Sequence, residues 1–164
     1  MGNYDWSKFT EKVAVKAGVK EMYDNWVTAE NLEKWFLKRA DYYSPDGAKK
    51  DKCEACEAGD TYEWEWYGYD FTEKGKVLEA NGKDLFKFTF AGDCIVTVSF
   101  NEFEEYTIIE LIQENIPTGD EHKMKTYRGC SLGWAFFLVN IRSLAEGGID
   151  LRNKDPKIQP MVNN

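Results

Sequence analysis

A chain of 164 residues, 43% hydrophobic and 15% aromatic, is long enough for one domain with a well-filled core. Its net charge of −8 gives an acidic surface that repels phosphate backbones and anionic lipid heads, which argues against nucleic acid or membrane as partner. No apolar run reaches the roughly 18 residues needed to cross a bilayer, and MGNYDWSKF lacks the basic-then-apolar order of a signal peptide. Gly2 begins an N-myristoylation pattern, but Trp6 stands where Ser or Thr is required. A cytoplasmic protein is expected, with its four cysteines as thiols.

Phe9 to Ala17 alternates, with Phe9, Glu11, Val13, Val15 and Ala17 on one side and Lys12 and Lys16 on the other, which predicts a strand broken by Gly18. Val19, Met22, Tyr23, Trp26 and Val27 then recur at helical spacing. Thr28 caps a second short helix whose inner face is Leu32, Trp35 and Phe36. A short strand over Lys38 to Tyr43 leads into the turn Ser44-Pro45-Asp46-Gly47. From Thr61 to Ile116 the chain reads as strands and turns. Tyr62, Trp64 and Trp66 alternate with Thr61, Glu63 and Glu65, as Phe86, Phe88 and Phe90 do with Leu85, Lys87 and Thr89. Val96, Val98 and Phe100 follow, then Thr107, Ile109, Leu111 and Gln113 on one face. Asn81-Gly82 and Ala91-Gly92-Asp93 are hairpin turns, so the strands form an antiparallel meander of five or six.

Pro117 ends the last strand, and Asp120 is the expected cap of a final helix running to about Glu146. Met124, Tyr127, Ser131, Trp134, Leu138, Ile141 and Ala145 share a face of it, widened by Cys130, Phe137 and Leu144; Gly147-Gly148 stops it. One strongly apolar helix after a run of strands needs a sheet to wrap around it. The predicted class is α+β: a curved antiparallel sheet of six or seven strands around a long C-terminal helix, with two short helices after the first strand.

The segments GDTYEWEWYG (Gly59 to Gly68) and LIQENIP (Leu111 to Pro117), with the tail GW…FLVNIRSLAEGGIDLR, resemble the activator of heat-shock-protein-90 ATPase-like family. That family lies within the START-like, helix-grip superfamily of ligand-binding domains. The resemblance runs from about Phe9 to Arg152 and implies a single START-like domain spanning residues 1–164, with a cavity between sheet and helix. The eukaryotic activators have two domains, of which this chain resembles the second. Heat-shock protein 90 is therefore one implied partner, and an apolar or amphipathic small molecule the other.

If the alternation holds, Trp64, Trp66, Phe86, Phe88, Phe90, Val96, Val98, Ile109 and Leu111 point inward from the sheet. Tyr127, Trp134 and Leu138 face them from the helix, and Gln113 adds a polar group at one end. Concave, aromatic-lined walls suit an apolar ligand, although the same rings could simply fill a core. Gly129 and Gly133 lie four apart on one helix face, where each costs about 1 kcal/mol relative to alanine. Close packing of the protein against that bare face is the expected reason.

Chemistry-bearing residues are sparse. Cys53 and Cys56 form a CxxC, but Cys94 and Cys130 are not a second pair and His122 is the single histidine, so no zinc set is expected. Glu54 and Glu57 disfavour a thiolate there, which leaves accidental spacing in a surface loop. His122 is expected to be solvated between Glu121 and Lys123. Glu63, Glu65 and Glu110 fall on outer faces, so no catalytic set, metal or cofactor is assigned. A binding domain is expected rather than an enzyme.

Overall fold

The structure, a computed structural model, describes residues 3–164, so the Gly2 start lies outside the described residues. The chain runs β1 (Phe9–Val15), α1 (Val19–Val27), α2 (Ala29–Trp35), β2 (Arg39–Tyr43), β3 (Thr61–Glu65), β4 (Glu73–Ala80), β5 (Leu85–Phe90), β6 (Cys94–Phe103) and β7 (Tyr106–Glu114). It closes with α3 (Asp120–His122), a π-helical turn (Lys123–Tyr127) and α4 (Arg128–Ala145). The strands form one seven-stranded sheet in the order β1-β7-β6-β5-β4-β3-β2, every pair antiparallel. This is the expected curved sheet around a long C-terminal helix.

Alternation sets the sheet's faces. Val96 opposes Gln113, Val98 opposes Leu111 and Phe100 opposes Ile109, all buried, while the residues between them are partly exposed. β4 reads EKGKVLEA and carries little alternation. Its first half pairs with β3 and its second half with β5, and a bulge between Val77 and Glu79 bends it. Gly75 sits opposite Tyr62, and a Cβ there would come within 2.6 Å of the Tyr62 ring. The absent side chain lets that ring cross β4 so that its hydroxyl donates to the Thr89 carbonyl at 2.6 Å.

α1 and α2 close one side of the core as the stripe predicted. Met22, Tyr23, Trp26, Val27, Leu32 and Trp35 are buried, and the Thr28 hydroxyl accepts from the Asn31 N–H at 3.3 Å. Trp26 lies 4.7 Å from Trp35 and 5.9 Å from Trp134 between ring centres, so one aromatic cluster joins both short helices to the long one.

Several expectations need correction. β1 ends at Val15 rather than Ala17: the Ala17 N–H turns back to the Val15 carbonyl at 2.9 Å, and the Ala17 carbonyl accepts from the Thr107 hydroxyl at 2.7 Å. Gly119, not Asp120, stands at the helix N-cap; Asp120 lies inside the first turn and pairs with Lys123 at 3.0 Å. The π turn inserts a residue into the helical register, which rotates the first turns relative to α4. Met124, expected on the inner face, is therefore 62% exposed.

Gly147, at φ +81°, ends α4, and the tail folds back as a clamp. Asn140 donates to the Trp35 carbonyl at 2.7 Å and accepts from the Leu151 N–H at 2.7 Å. Arg152 donates to the carbonyls of Glu33, Lys34 and Leu37 at 3.1, 2.9 and 3.0 Å, and to Asp150. Glu33 and Lys34 belong to the last turn of α2, which leaves its carbonyls without helical partners, and Leu37 lies just past it. Burial alone would raise the Asp150 carboxyl, but hydrogen bonds from Arg152 and Lys154 outweigh it and hold it well below the usual carboxylate range. The distinctive end of the sequence is thus a structural lock between α2 and α4. No helix among the described residues is long and apolar enough to cross a membrane.

Candidate functional site

A cavity of about 330 Å³ opens beside the first half of α4. Its wall is aromatic: Trp66 and Phe90 from the sheet side, Phe36 from the end of α2, and Trp134 and Phe137 from α4. Phe90 lies 5.1 Å from Trp134 and 6.1 Å from Trp66, and Phe36 lies 4.8 Å from Phe137 between ring centres. Tyr69, Phe71 and Val162 form an exposed apolar rim. Asn164 packs so closely on Gly68 beside that rim that a Cβ on Gly68 would strike it.

The helix side of the cavity is built from missing side chains. Gly129 and Gly133 both line it, and a methyl group at either position would meet no atom within 4 Å. The expectation of close packing against these glycines is therefore wrong. They face open space, and the helix gives up side-chain volume there.

Polar groups sit mainly at the edges. Lys125 stands at the mouth, its ammonium 2.7 Å from Glu121, with both side chains exposed. Inside, burial pushes the Cys130 thiol up to about 11, so it is neutral near pH 7. Behind the wall Gln113 is fully buried, and its Oε1 accepts from the Trp134 indole N–H at 2.9 Å. That bond fixes the amide's orientation. The amide Nε2 is left buried without a hydrogen-bond partner, in the neighbourhood of the Cys94 and Cys130 thiols. Glu73, near the same thiols, is raised by burial and accepts from the Ala91 N–H at 2.7 Å.

The structure brings Trp66, Phe90 and Trp134 of the candidate residues to this cavity. It places Trp64, Phe86, Phe88, Val96, Val98, Ile109, Leu111 and Leu138 in the solid core; Trp64, for example, stacks on Tyr62 at 3.8 Å. Tyr127 turns elsewhere, against Trp6 and Phe9, with its hydroxyl bonded to that of Tyr4 and pushed up to about 12, first by burial. Sequence reasoning did not place Phe36, Phe71, Lys125 or Phe137 at the site. The available signal was the step of four through Lys125, Gly129, Gly133 and Phe137.

Outside the cavity little chemistry gathers. Cys53 is exposed, but Cys56 is buried rather than in a surface loop, and burial pushes its thiol up to about 12. Its N–H donates to the Val27 carbonyl at 2.8 Å, which draws the segment onto the end of α1. His122 is exposed, with Nδ1 3.2 Å from the Thr126 hydroxyl. Among the described residues no group of three or more His, Cys, Asp or Glu side chains could hold a metal ion.

The family described as "Activator of Hsp90 ATPase homolog 1-like protein" matches residues 16–146. A Staphylococcus saprophyticus protein superposes with a TM-score of 0.70 at 19% identity, over 88% of this chain and 96% of that one. The Aha1 dimer of Colwellia psychrerythraea gives 0.66 at 17% identity, over 86% and 97%. An HSP90 activator of Plasmodium falciparum gives 0.61 at 17% identity, over 85% and 96%. At these identities the likeness is one of fold. No curated protein matches the sequence.

Proposed function

The chain belongs to the family of activator of Hsp90 ATPase homolog 1-like proteins, and from that premise we propose that it is a cytoplasmic START-like binding domain taking an apolar or amphipathic small molecule beside α4. One observation carries the reading: two helix glycines open onto an aromatic cavity instead of packing against protein. A mid-helix glycine costs about 1 kcal/mol against alanine, and here no tight contact offsets that cost. Keeping the space open for another molecule accounts for it. The cavity volume falls at the small end of the range for ligand sites. The protein is read as a binder rather than a catalyst, because the groups at the cavity are aromatic rings, one neutral thiol and one ammonium.

The neutral fluorophore N-phenyl-1-naphthylamine tests this. Its emission should rise on binding the protein and stay low with Gly133→Leu, whose circular dichroism should match the parent. Equal binding by both proteins would rule the cavity out as the site.

The family match and the Plasmodium falciparum activator favour a second reading, in which the domain docks on heat-shock protein 90 and modulates its ATPase. Pulldown with that chaperone and ATPase rates with and without the domain test it. An unchanged rate without co-precipitation would dismiss it.

A further inference from the structure

We propose that the cavity takes an amphipathic carboxylate, with its apolar body along the glycine stripe and its acid group on Lys125. This rests on the binding reading above and names the ligand class. Lys125 is the charged side chain among the described residues that form the cavity. Lys125, Gly129 and Gly133 all line the cavity, so the bare helix face runs from the aromatic interior towards Lys125. It sits within the π turn, an irregularity that concentrates at functional sites.

The ammonium has only a weak prior commitment. Its partner Glu121 is 72% exposed and Lys125 itself 76%, and solvent-exposed pairs of this kind contribute little. A ligand carboxylate can displace or share that partner. At the inner end the Cys130 thiol is neutral, and the Glu73 carboxyl behind it is raised by burial and already accepts from the Ala91 N–H, so Lys125 is the charge that the lining itself presents. A cationic amphiphile would instead meet Lys125 at the mouth, and a neutral one would leave the ammonium unengaged. One acid group on an apolar body of modest size satisfies both ends.

Isothermal titration with octanoate, 1-octanol and octylamine tests the proposal, because the three share one chain and differ in head group. Octanoate should bind about two- to fivefold more tightly than octanol, the range of a solvent-exposed charge pair, and octylamine most weakly. Lys125→Met keeps an apolar stem. It should bring octanoate to the octanol level while leaving octanol unchanged. Glu121→Gln should tighten octanoate. Salt raised from about 50 mM to about 500 mM should shrink the preference. Octanol binding as tightly as octanoate, or a preference that survives Lys125→Met, overturns the proposal and leaves the cavity reading standing. Failure of all three compounds to bind overturns both.

Discussion

Replacing Gly129 and Gly133 by alanine should make the protein more stable, and the size of the gain can be worked out beforehand. Each change relieves about 1 kcal/mol of helix cost, since a methyl group at either position would meet no atom within 4 Å. The two methyl groups are small and both enter open space, so together they give up to about 2 kcal/mol. For a chain of 164 residues each kcal/mol moves the melting temperature by about 2–4 °C, so the double variant should melt up to about 8 °C higher. Guanidinium unfolding should show a higher midpoint with unchanged slope. The control is Gly75→Ala. There the methyl group would fall on the Tyr62 ring, and displacing that ring endangers its bond to the Thr89 carbonyl, so a loss of about 1–3 kcal/mol is expected. If the helix double variant melts lower than the parent, something approaches that face closely and the cavity argument fails.

Arg152→Met should cost about 2–4 kcal/mol by chemical denaturation, because the carbonyls of Glu33, Lys34 and Leu37 lose their donor and Asp150 keeps only Lys154 as its cation; a loss below about 1 kcal/mol would refute the lock. Acid should weaken the same clamp. The folded Asp150 carboxyl lies below its unfolded value near 3.9, so its contribution is complete above the unfolded value and is lost as pH falls toward the folded one. Asp150→Asn should therefore be less stable at pH 7 and flatter in its dependence below about pH 4, as read from melting temperatures against pH. Thiol titration should find Cys53 reactive in the native state and Cys56, Cys94 and Cys130 slow until unfolding; fast labelling of Cys56 would show that its loop opens.

Most of the fold was legible because burial imposes period two on strands and a three-to-four step on helices. The inner positions of β5, β6 and β7 and the stripe of α1 follow directly from that rule. β4 is faint in the sequence because its two halves pair with different neighbours around a bulge and its glycine is dictated by a ring on β3. The π turn was invisible, since composition does not announce an inserted residue, and it misdirected the reading of Met124. Inward direction did not distinguish a filled core from an open one: Trp64 and Trp66 share a face, yet only the second borders the void. Phe71 reaches the cavity from outside the regular strands, where periodicity says nothing, and Phe36, inward by helical spacing, gave no sign that its ring borders a void.

An open sheet has two borders, and this one treats them differently. β2 is partly covered by the following loop, where Lys49 bridges to Tyr43. β1 pairs with β7 on one side only, which would invite another chain to extend the sheet. Its length is interrupted by Glu11 and Lys12, with Lys12 held to Glu110 at 2.5 Å, and just beyond it Lys16 reaches Glu105 at 2.9 Å. An incoming strand would have to desolvate or displace those charges along this margin. Neutralising Lys12 and Lys16 would remove that protection and should favour oligomers or fibrils in concentrated solution.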